Sequence, residues 1–286
     1  MYRTFKLDMP QSLSDALNML GDGGAAIPLA GGTNLLVDLR ANRISPSHLV
    51  SLDKVQELRV ICCKDGTIEI GGRTSVSDLL RSPEIAKGAP SLAQAAKVFG
   101  GQMVRNAATV GGNIACGSPA ADLVPPLLSL DADIELTSTT GRRRMGLAEF
   151  FLGYRKDARR PGELITRIGA QRLQTNSVNT FYKLARRKGD AITVVGVAVT
   201  LTVAQGRCTR ARIALGAVAP TVYRAAAAEA MLEGQTLSAP LIDAAARQAA
   251  DSASPIDDVR ASAEYRHHGV HVLTRRLVAQ AWERLN

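Results

Sequence analysis

Cysteine is scarce in this chain, and its spacing argues against a metal centre. None of the four cysteines forms a C-x-x-C pair; they are Cys62, Cys63, Cys116 and Cys208. Structural zinc sites and cysteine-held iron–sulfur clusters need several thiolates at short spacing. His267 and His271 share one helical face at four residues apart, but spacing supplies no third ligand. The sequence therefore predicts no metal site within the chain.

Long apolar runs are also missing. The longest nearly apolar stretch, residues 191–204, is too short for a membrane-spanning helix, which takes about 20 residues. It is rich in Val and Thr, so it is predicted to form a buried strand. The first eight residues contain no apolar signal core. These features predict a cytoplasmic protein without a membrane span.

Aromatic residues make up only 4% of the chain, although its formal net charge is +9. Such a charge permits binding to nucleic acid, but proteins that bind single strands need aromatic side chains on which bases stack. The basic residues are dispersed, apart from the runs at 142–144 and 186–188. Nucleic-acid binding is therefore only a remote alternative, and no nucleic-acid partner is predicted.

Several motifs that carry chemistry are absent. The sequence has no G-x-x-x-x-G-K-[ST] phosphate loop and no G-x-G-x-x-G after its first strand. The H-E-x-x-H and G-x-S-x-G motifs of metalloproteases and serine hydrolases are missing as well. Spacing indicates no pair of a nucleophile and a base. No catalytic side chain is predicted.

The 286 residues, of which 46% are hydrophobic, are enough for one to three units that each bury a core. The order of predicted elements is typical of an α+β protein with boundaries near residues 55 and 175. The first unit begins with a helix that is predicted from the apolar periodicity of residues 13–20. Ser12 and Asp15 are predicted to cap this helix, and Gly23 and Gly24 lie in the stretch that ends it. A short strand over residues 26–30 follows.

The last unit is predicted to have strands first and helices afterwards. Three strands are expected, over residues 180–184, 192–203 and 210–217. Three helices are expected to follow them, over residues 223–232, 240–250 and 261–285.

Two glycine-containing segments are the strongest functional signal. In the first glycine segment (residues 29–35, LAGGTNL), a strand runs into two glycines, a hydroxyl, an amide and a predicted helix start. Glycines allow close approach of a ligand, and a helix start offers free N–H groups that suit phosphate. The second glycine segment (residues 109–115, TVGGNIA) repeats this pattern and is predicted to present backbone donors outward. Asp122, farther on, is a candidate acceptor for ribose hydroxyls. Two such segments indicate a pyrophosphate held from both sides.

These two segments resemble those of the FAD-binding (medium) subunit of the molybdenum hydroxylase family, which includes carbon monoxide and xanthine dehydrogenases. Three further stretches match in the same order: residues 162–166 (GELIT), residues 181–190 (FYKLARRKGD) and residues 264–266 (EYR). The resemblance covers essentially the whole chain. It implies a two-part FAD-binding domain of the vanillyl-alcohol-oxidase (PCMH) type, residues 1–55 and 56–175. It also implies a C-terminal α+β flavoprotein domain, residues 176–286, with a three-stranded sheet and helices.

The resemblance also implies which residues bind noncovalent FAD. The first glycine segment would wrap the pyrophosphate and the second would face it; the residues implied are Leu29, Ala30, Gly31, Gly32, Thr33, Asn34, Leu35, Thr109, Gly111, Gly112, Asn113 and Ala115. Ser118 and Asp122 would hold ribityl or ribose hydroxyls, and Leu164 and Ile165 would flank the adenine. The flavin end would be lined by Phe99, Ala108, Lys183 and Ile192, where Ile192 stands at a position at which some relatives carry an aromatic residue.

The implied function is electron transfer within a heteromeric oxidoreductase. Substrate would be oxidised at a molybdenum cofactor in a large subunit, and electrons would pass through iron–sulfur clusters in a small subunit. The FAD here would collect them for an external acceptor, in a complex expected to be a dimer of heterotrimers. The hydroxylated substrate and the acceptor are left open. The alternative is a free-standing flavin oxidase of related fold, although no His matches a covalent tether position.

Overall fold

The computed structural model describes residues 4–21 and 26–285, so the expectation for Gly23 and Gly24 lies outside the described residues. Three sheets of three or more strands follow one another along these ranges, and each has its own hydrophobic core. No helix in the described ranges is both long enough and apolar enough to cross a bilayer.

The first sheet is a small parallel one of order β1-β3-β2. Its elements are β1 (Lys6–Asp8), α1 (Leu13–Leu20), β2 (Ala26–Leu29), α2 (Leu35–Arg40), β3 (His48–Ser51) and a 3-10 helix (Gln56–Leu58). Helix α1 confirms the predicted periodicity, since Ala16, Leu17 and Leu20 pack on the sheet. The Ser12 hydroxyl accepts from the N–H of Asp15, at 3.0 Å. The Asp15 carboxylate accepts from the Ser12 hydroxyl, at 2.6 Å, whereas a capping box uses the Ser12 backbone N–H.

The second sheet is antiparallel, with the order β4-β5-β10-β6-β7. Its strands are β4 (Ile61–Lys64), β5 (Thr67–Gly71), β6 (Asp133–Ser138), β7 (Gly141–Gly146) and β10 (Leu164–Gln171). The other elements of this region are α3 (Val76–Arg81), α4 (Pro83–Gly88), α5 (Pro90–Val98), α6 (Gln102–Ala107), α7 (Val110–Ala115), α8 (Val124–Ser129), α9 (Leu147–Phe150) and the hairpin of β8 (Phe151–Gly153) and β9 (Lys156–Asp157). Strands β5 and β10 and helices α3, α5, α7 and α8 contribute to one shared core.

The third sheet is antiparallel, with the order β11-β12-β13-β14. Its elements are β11 (Ser177–Ala185), β12 (Thr193–Ala204), β13 (Arg207–Gly216), β14 (Tyr223–Arg224), α10 (Ala226–Leu232), α11 (Ala239–Asp251) and α12 (Ala263–Glu283). The predicted buried strand over residues 192–203 is confirmed as β12. Its alternate side chains enter two cores, with Ala198 on the side of α5 and α8 and Val197 and Val199 on the side of α11 and α12. Both faces of β12 are buried, which accounts for a sequence that is apolar except for three threonines.

The C-terminal sheet differs from the expected three strands, because the predicted helix at 223–232 begins only at Ala226. Tyr223 and Arg224 instead form β14 and pair with Leu215 and Ala214 of β13. The guanidinium of Arg224 forms ion pairs with Asp131, at 2.7 Å, and with Glu229, at 2.5 Å. These two ion pairs of Arg224 hold β14 against the sheet. The periodicity of the sequence does not reveal such long-range pairs.

Candidate cofactor site

The first glycine segment lies against the residues that directly precede and follow the second, more than seventy positions later in the sequence. Gly31 packs so tightly on Ala107 and Ala108 that a Cβ atom on Gly31 would overlap the carbonyl oxygen of Ala107. The side chain of Asn34 lies close enough to the thiol of Cys116 to lower its pKa. The fold thus brings together the residues that the sequence analysis placed on opposite sides of a pyrophosphate.

The first glycine segment keeps its backbone donors free. It joins β2 to α2 through Gly32, whose φ of 69° favours glycine. Within the described part of the chain, no acceptor is found for the backbone N–H groups of residues 32–35. Asn34 stands at the N-cap of α2 but makes no side-chain cap bond. Adjacent unpaired N–H groups favour an anion.

The second glycine segment is not an open loop, and the expectation that its first donors face outward is wrong. Residues 110–115 form α7, and the hydroxyl of Thr109 caps it by accepting from the N–H of Gly112, at 3.1 Å. The N–H of Val110 donates to the carbonyl of Thr74, at 3.0 Å, and that of Gly111 to the carbonyl of Gly72, at 2.8 Å. All three donors are therefore bonded within the protein, and Gly111 packs closely on Gly72.

Asn113 and Ser118 organise the turn that leads from α7 to Asp122. The side-chain oxygen of Asn113 accepts from the N–H of Leu123, at 3.2 Å. The hydroxyl of Ser118 accepts from the N–H of Ala120, also at 3.2 Å. Ala115, at the end of α7, offers its carbonyl to the guanidinium of Arg159, at 3.4 Å. These side chains therefore shape the turn from within.

Asp122 and Lys183 form a buried ion pair between the second and third sheets. The Nζ atom of Lys183 lies 2.6 Å from an oxygen of Asp122, and the side chains are 5% and 9% exposed. The hydroxyl of Thr193, on β12, donates to the other carboxylate oxygen. Burial raises the pKa of the Asp122 carboxyl, and the charge of Lys183 with these two hydrogen bonds opposes that rise. The positive charge predicted at the flavin end is thus paired within the protein.

The remaining residues predicted for the flavin end lie in different environments. Lys183 also donates to the carbonyl of Val98, at 3.3 Å, which places it beside the half-buried Phe99 at the end of α5. Ala108 is buried and precedes the cap of α7. Ile192 is 55% exposed, just before β12 begins. The fold places Phe99 and Lys183 near each other and leaves Ile192 at the surface.

Leu164 and Ile165, predicted to flank the adenine, begin β10 and are both buried. Leu164 packs in the core of the first sheet, and Ile165 packs in the core of the second. The carbonyl of Ile165 lies close against Gly72, two residues before Thr74. These two residues thus lie where the first two units meet, near the residues that hold the second glycine segment.

Sequence reasoning missed Thr193 and two arginines beside the second glycine segment. Arg155 donates its N–H to the carbonyl of Gly117, at 3.3 Å, and its guanidinium lies 3.7 Å from Asp38 of α2. Arg159 reaches Ala115. These side chains come from the β8–β9 region and carry no local motif. The pair Gly71–Gly72, against which α7 packs, is the one signal that could have drawn attention to this face.

No group of three or more His, Cys, Asp or Glu residues suited to a metal ion occurs in residues 4–21 and 26–285. The ring of His271 instead lies 2.8 Å from Asp243, and His267 bonds the carbonyl of Ala250, at 3.0 Å. These two histidines therefore connect α12 to α11.

Comparison with known families and proteins identifies the class. Residues 3–169 match the FAD binding domain in molybdopterin dehydrogenase, and residues 180–281 match the CO dehydrogenase flavoprotein C-terminal domain. One relative is the 6-hydroxypseudooxynicotine dehydrogenase complex subunit alpha of Paenarthrobacter nicotinovorans, 35% identical over 98% of this chain and 95% of that protein.

Two solved structures match nearly the full length of the chain. One is a carbon monoxide dehydrogenase from Hydrogenophaga pseudoflava that lacks the Mo-pyranopterin moiety of its molybdenum cofactor. Its matching chain has a TM-score of 0.95, 33% identity and 99% coverage of each chain. The other is quinoline 2-oxidoreductase from Pseudomonas putida 86, with a TM-score of 0.92, 29% identity, and coverage of 100% of this chain and 99% of the other.

The chain belongs to the FAD-binding subunits of the molybdenum hydroxylase family, which are components of molybdopterin-dependent oxidoreductases. Its cofactor is FAD, and in this family the molybdenum cofactor and the iron–sulfur clusters lie in other subunits. The predicted resemblance is confirmed, as is the combination of an FAD-binding domain with a C-terminal flavoprotein domain. The boundaries at residues 55 and 175 stay predictions.

Proposed function

We propose that this chain is the electron-transfer subunit of a heteromeric molybdenum hydroxylase. It would take electrons from iron–sulfur clusters of a small subunit and pass them to an external acceptor. When bound, FAD supplies the redox chemistry, and the chain supplies orientation, electrostatics and shielding from water. No side chain of the site is required as an acid or base, which fits the absence of a recognisable catalytic pair.

The close contact of the first glycine segment with the residues just before the second carries this proposal. Gly31 leaves room for the backbone of Ala107 and Ala108, so the free N–H groups of residues 32–35 lie beside the second glycine segment. Such donors fit the pyrophosphate of FAD, with Thr33 and Asn34 as additional ligands. The residues proposed to face it from the other side are Thr109, Gly111, Gly112, Asn113 and Ala115. Because α7 uses its first N–H groups internally, these residues would contribute through shape and through their remaining polar atoms.

The other parts of FAD are assigned to residues on either side of the proposed pyrophosphate site. We place the ribityl or ribose hydroxyls near Ser118 and Asp122, and the adenine near Leu164 and Ile165. The isoalloxazine would lie toward Phe99, Ala108, Lys183 and Ile192. The Asp122–Lys183 pair then lies between the hydroxyl-binding region and the ring. Its near neutrality means that the ring would meet a fixed dipole rather than an uncompensated cation.

Partners and compartment complete the proposal. We place the chain with an iron–sulfur small subunit and a molybdenum-cofactor large subunit, as a dimer of heterotrimers. Relatives named for carbon monoxide, 6-hydroxypseudooxynicotine and quinoline share this chain's fold, so substrate choice would belong to the large subunit. All four cysteines are free thiols, which suits a reducing compartment such as the cytoplasm.

The visible spectrum of the complex purified from its source, followed by acid precipitation, tests this function. We expect a flavin spectrum that moves into the supernatant, with iron–sulfur and molybdenum subunits co-purifying. Flavin that stays in the pellet would show a covalent tether and favour the free-standing oxidase. An intact complex without flavin would contradict the proposal, and salt-sensitive binding of nucleic acid by a flavin-free chain would support the remote alternative.

A further inference from the structure

A buried guanidinium nitrogen of Arg73 has no partner within the described residues. Within residues 4–21 and 26–285, buried side-chain nitrogen and oxygen atoms without a partner occur at four residues: Arg73 (Nη1), Ser91, Arg266 and Thr274. A buried donor on a charged group is costly to leave unpaired, so such an atom needs an explanation. The Arg73 side chain is only 11% exposed.

Arg73 lies between the two glycine segments. On one side, the carbonyls of its neighbours Gly72 and Thr74 accept from Gly111, at 2.8 Å, and from Val110, at 3.0 Å. The backbone of Arg73 is therefore fastened to the start of α7, in the second glycine segment.

Its guanidinium reaches the other side. The Nη2 atom donates to Asp53, at 2.5 Å. Asp53 follows Leu52, whose N–H donates to the carbonyl of Leu29, at 2.8 Å, and Leu29 is the first residue of the first glycine segment. The Arg73 side chain thus extends from the second glycine segment toward the first, whose N–H groups are free.

The environment of this guanidinium leaves a buried donor available to an anion. The Asp53 side chain is 70% exposed, so the one acidic partner lies on the solvent side, while Nη1 is buried. The first three N–H groups of α7 are already bonded within the protein. A planar guanidinium binds phosphate oxygens well because its donors form a rigid fork.

We propose that Arg73 binds the diphosphate of FAD and supplies the charge that the second glycine segment does not provide. The inference rests on the proposed FAD site and deepens it, because Arg73 belongs to neither glycine segment. The free N–H groups of residues 32–35 would bind the diphosphate from one side, and Nη1 of Arg73 would bind it from the other.

Three variants of the full chain, freed of flavin and titrated with FAD by fluorescence, test this role. Arg73→Gln should weaken FAD binding about 10- to 100-fold, the range for loss of a charge-assisted hydrogen bond. Arg73→Lys keeps the charge without the fork and should fall between Arg73→Gln and the wild type, so it gives an answer if Arg73→Gln does not fold. Asp53→Asn is the matched control: it breaks the same ion pair but keeps the guanidinium, so its affinity should stay within about threefold.

The salt dependence of binding provides a second readout. Affinity for FAD should fall less steeply with added salt in Arg73→Gln than in the wild type, because one phosphate contact is missing. Equal affinity in Arg73→Gln and wild type would overturn the inference. An equal loss in Asp53→Asn and Arg73→Gln would also overturn it, because Arg73 would then only hold the fold through its ion pair. A wild-type chain that binds no FAD would contradict the proposed function itself.

Discussion

The two glycine segments have nearly the same sequence pattern but opposite hydrogen-bonding states. At residues 29–35, the N–H groups before α2 are free and its N-cap residue, Asn34, makes no cap bond. At residues 109–115, the first three N–H groups of α7 are all bonded, and Thr109 caps the helix. One segment is therefore prepared for an external anion, and the other is part of the packed scaffold.

This difference shows that a Gly-Gly pair beside a helix start has two physical uses. It leaves backbone N–H groups open to a ligand, as proposed for Gly32, or it allows another stretch of backbone to approach, as at Gly31. Gly111 belongs to the second kind, since a Cβ atom there would lie 2.6 Å from the carbonyl oxygen of Gly72. Only the neighbours of the pair distinguish the two uses, and those neighbours are remote in sequence.

The largest effect is expected at the ion pair behind the second glycine segment. Asp122→Asn should lower the free energy of unfolding by about 3–5 kcal/mol, because it leaves Lys183 buried without a compensating charge. Chemical denaturation of the flavin-free chain measures this. The double variant Asp122→Asn with Lys183→Met should recover most of the loss, since no charge is then left unpaired. A change below about 1 kcal/mol in the single variant would show that the pair does not anchor the segment.

A methyl group at the contact between the segments should have the next largest effect. Gly31→Ala is expected to lose FAD on purification and to cost about 1–3 kcal/mol of stability, because its Cβ would overlap the carbonyl of Ala107. Flavin content and the unfolding free energy are the two measurements. Gly101→Ala is the control, since its Cβ would meet only the Asp190 carboxylate at an ordinary 3.8 Å. Full flavin content in Gly31→Ala would argue against the close contact.

The capping difference gives a smaller and more specific test. Thr109→Ala should lower the unfolding free energy by about 1 kcal/mol, the usual value of an N-cap side chain, whereas Thr109→Ser should be nearly neutral. Asn34→Ala should change stability by less than about 0.5 kcal/mol, because Asn34 caps nothing. Equal losses of unfolding free energy in Thr109→Ala and Asn34→Ala, measured by thermal or chemical unfolding, would contradict the difference in capping between α7 and α2.

The smallest effect is expected in the alkylation rate of Cys116, a residue that lies beside Asn34 of the first glycine segment. Burial raises the pKa of its thiol, and the hydrogen bonds around it, that from Asn34 among them, only partly oppose this. Alkylation between about pH 7 and 9 should therefore be faster at the exposed Cys63 than at Cys116, since the thiolate is the reactive form. Mass spectrometry after timed labelling measures both rates. Comparable rates in the folded chain would contradict the half-buried position of Cys116.

Much of the fold could be predicted from local patterns. The apolar period of α1 and the nearly apolar run that forms β12 both depend on neighbours within a few residues. Strand β14 was missed because its formation depends on Arg224, which pairs with Asp131 far away in sequence. The loop predicted for the second glycine segment was wrong because glycine-rich composition does not show where the N–H groups will bond.

The sequence by itself determined the family, the cofactor and the two glycine segments, because ordered short motifs are local and specific. Only the tertiary structure decided which segment keeps free donors and where charges are paired. Asp122 meets Lys183 across 61 positions, and Gly31 meets Ala107 across a similar interval. Such contacts depend on how sheets and helices pack, since packing sets which backbone groups remain exposed and which charges lose their water.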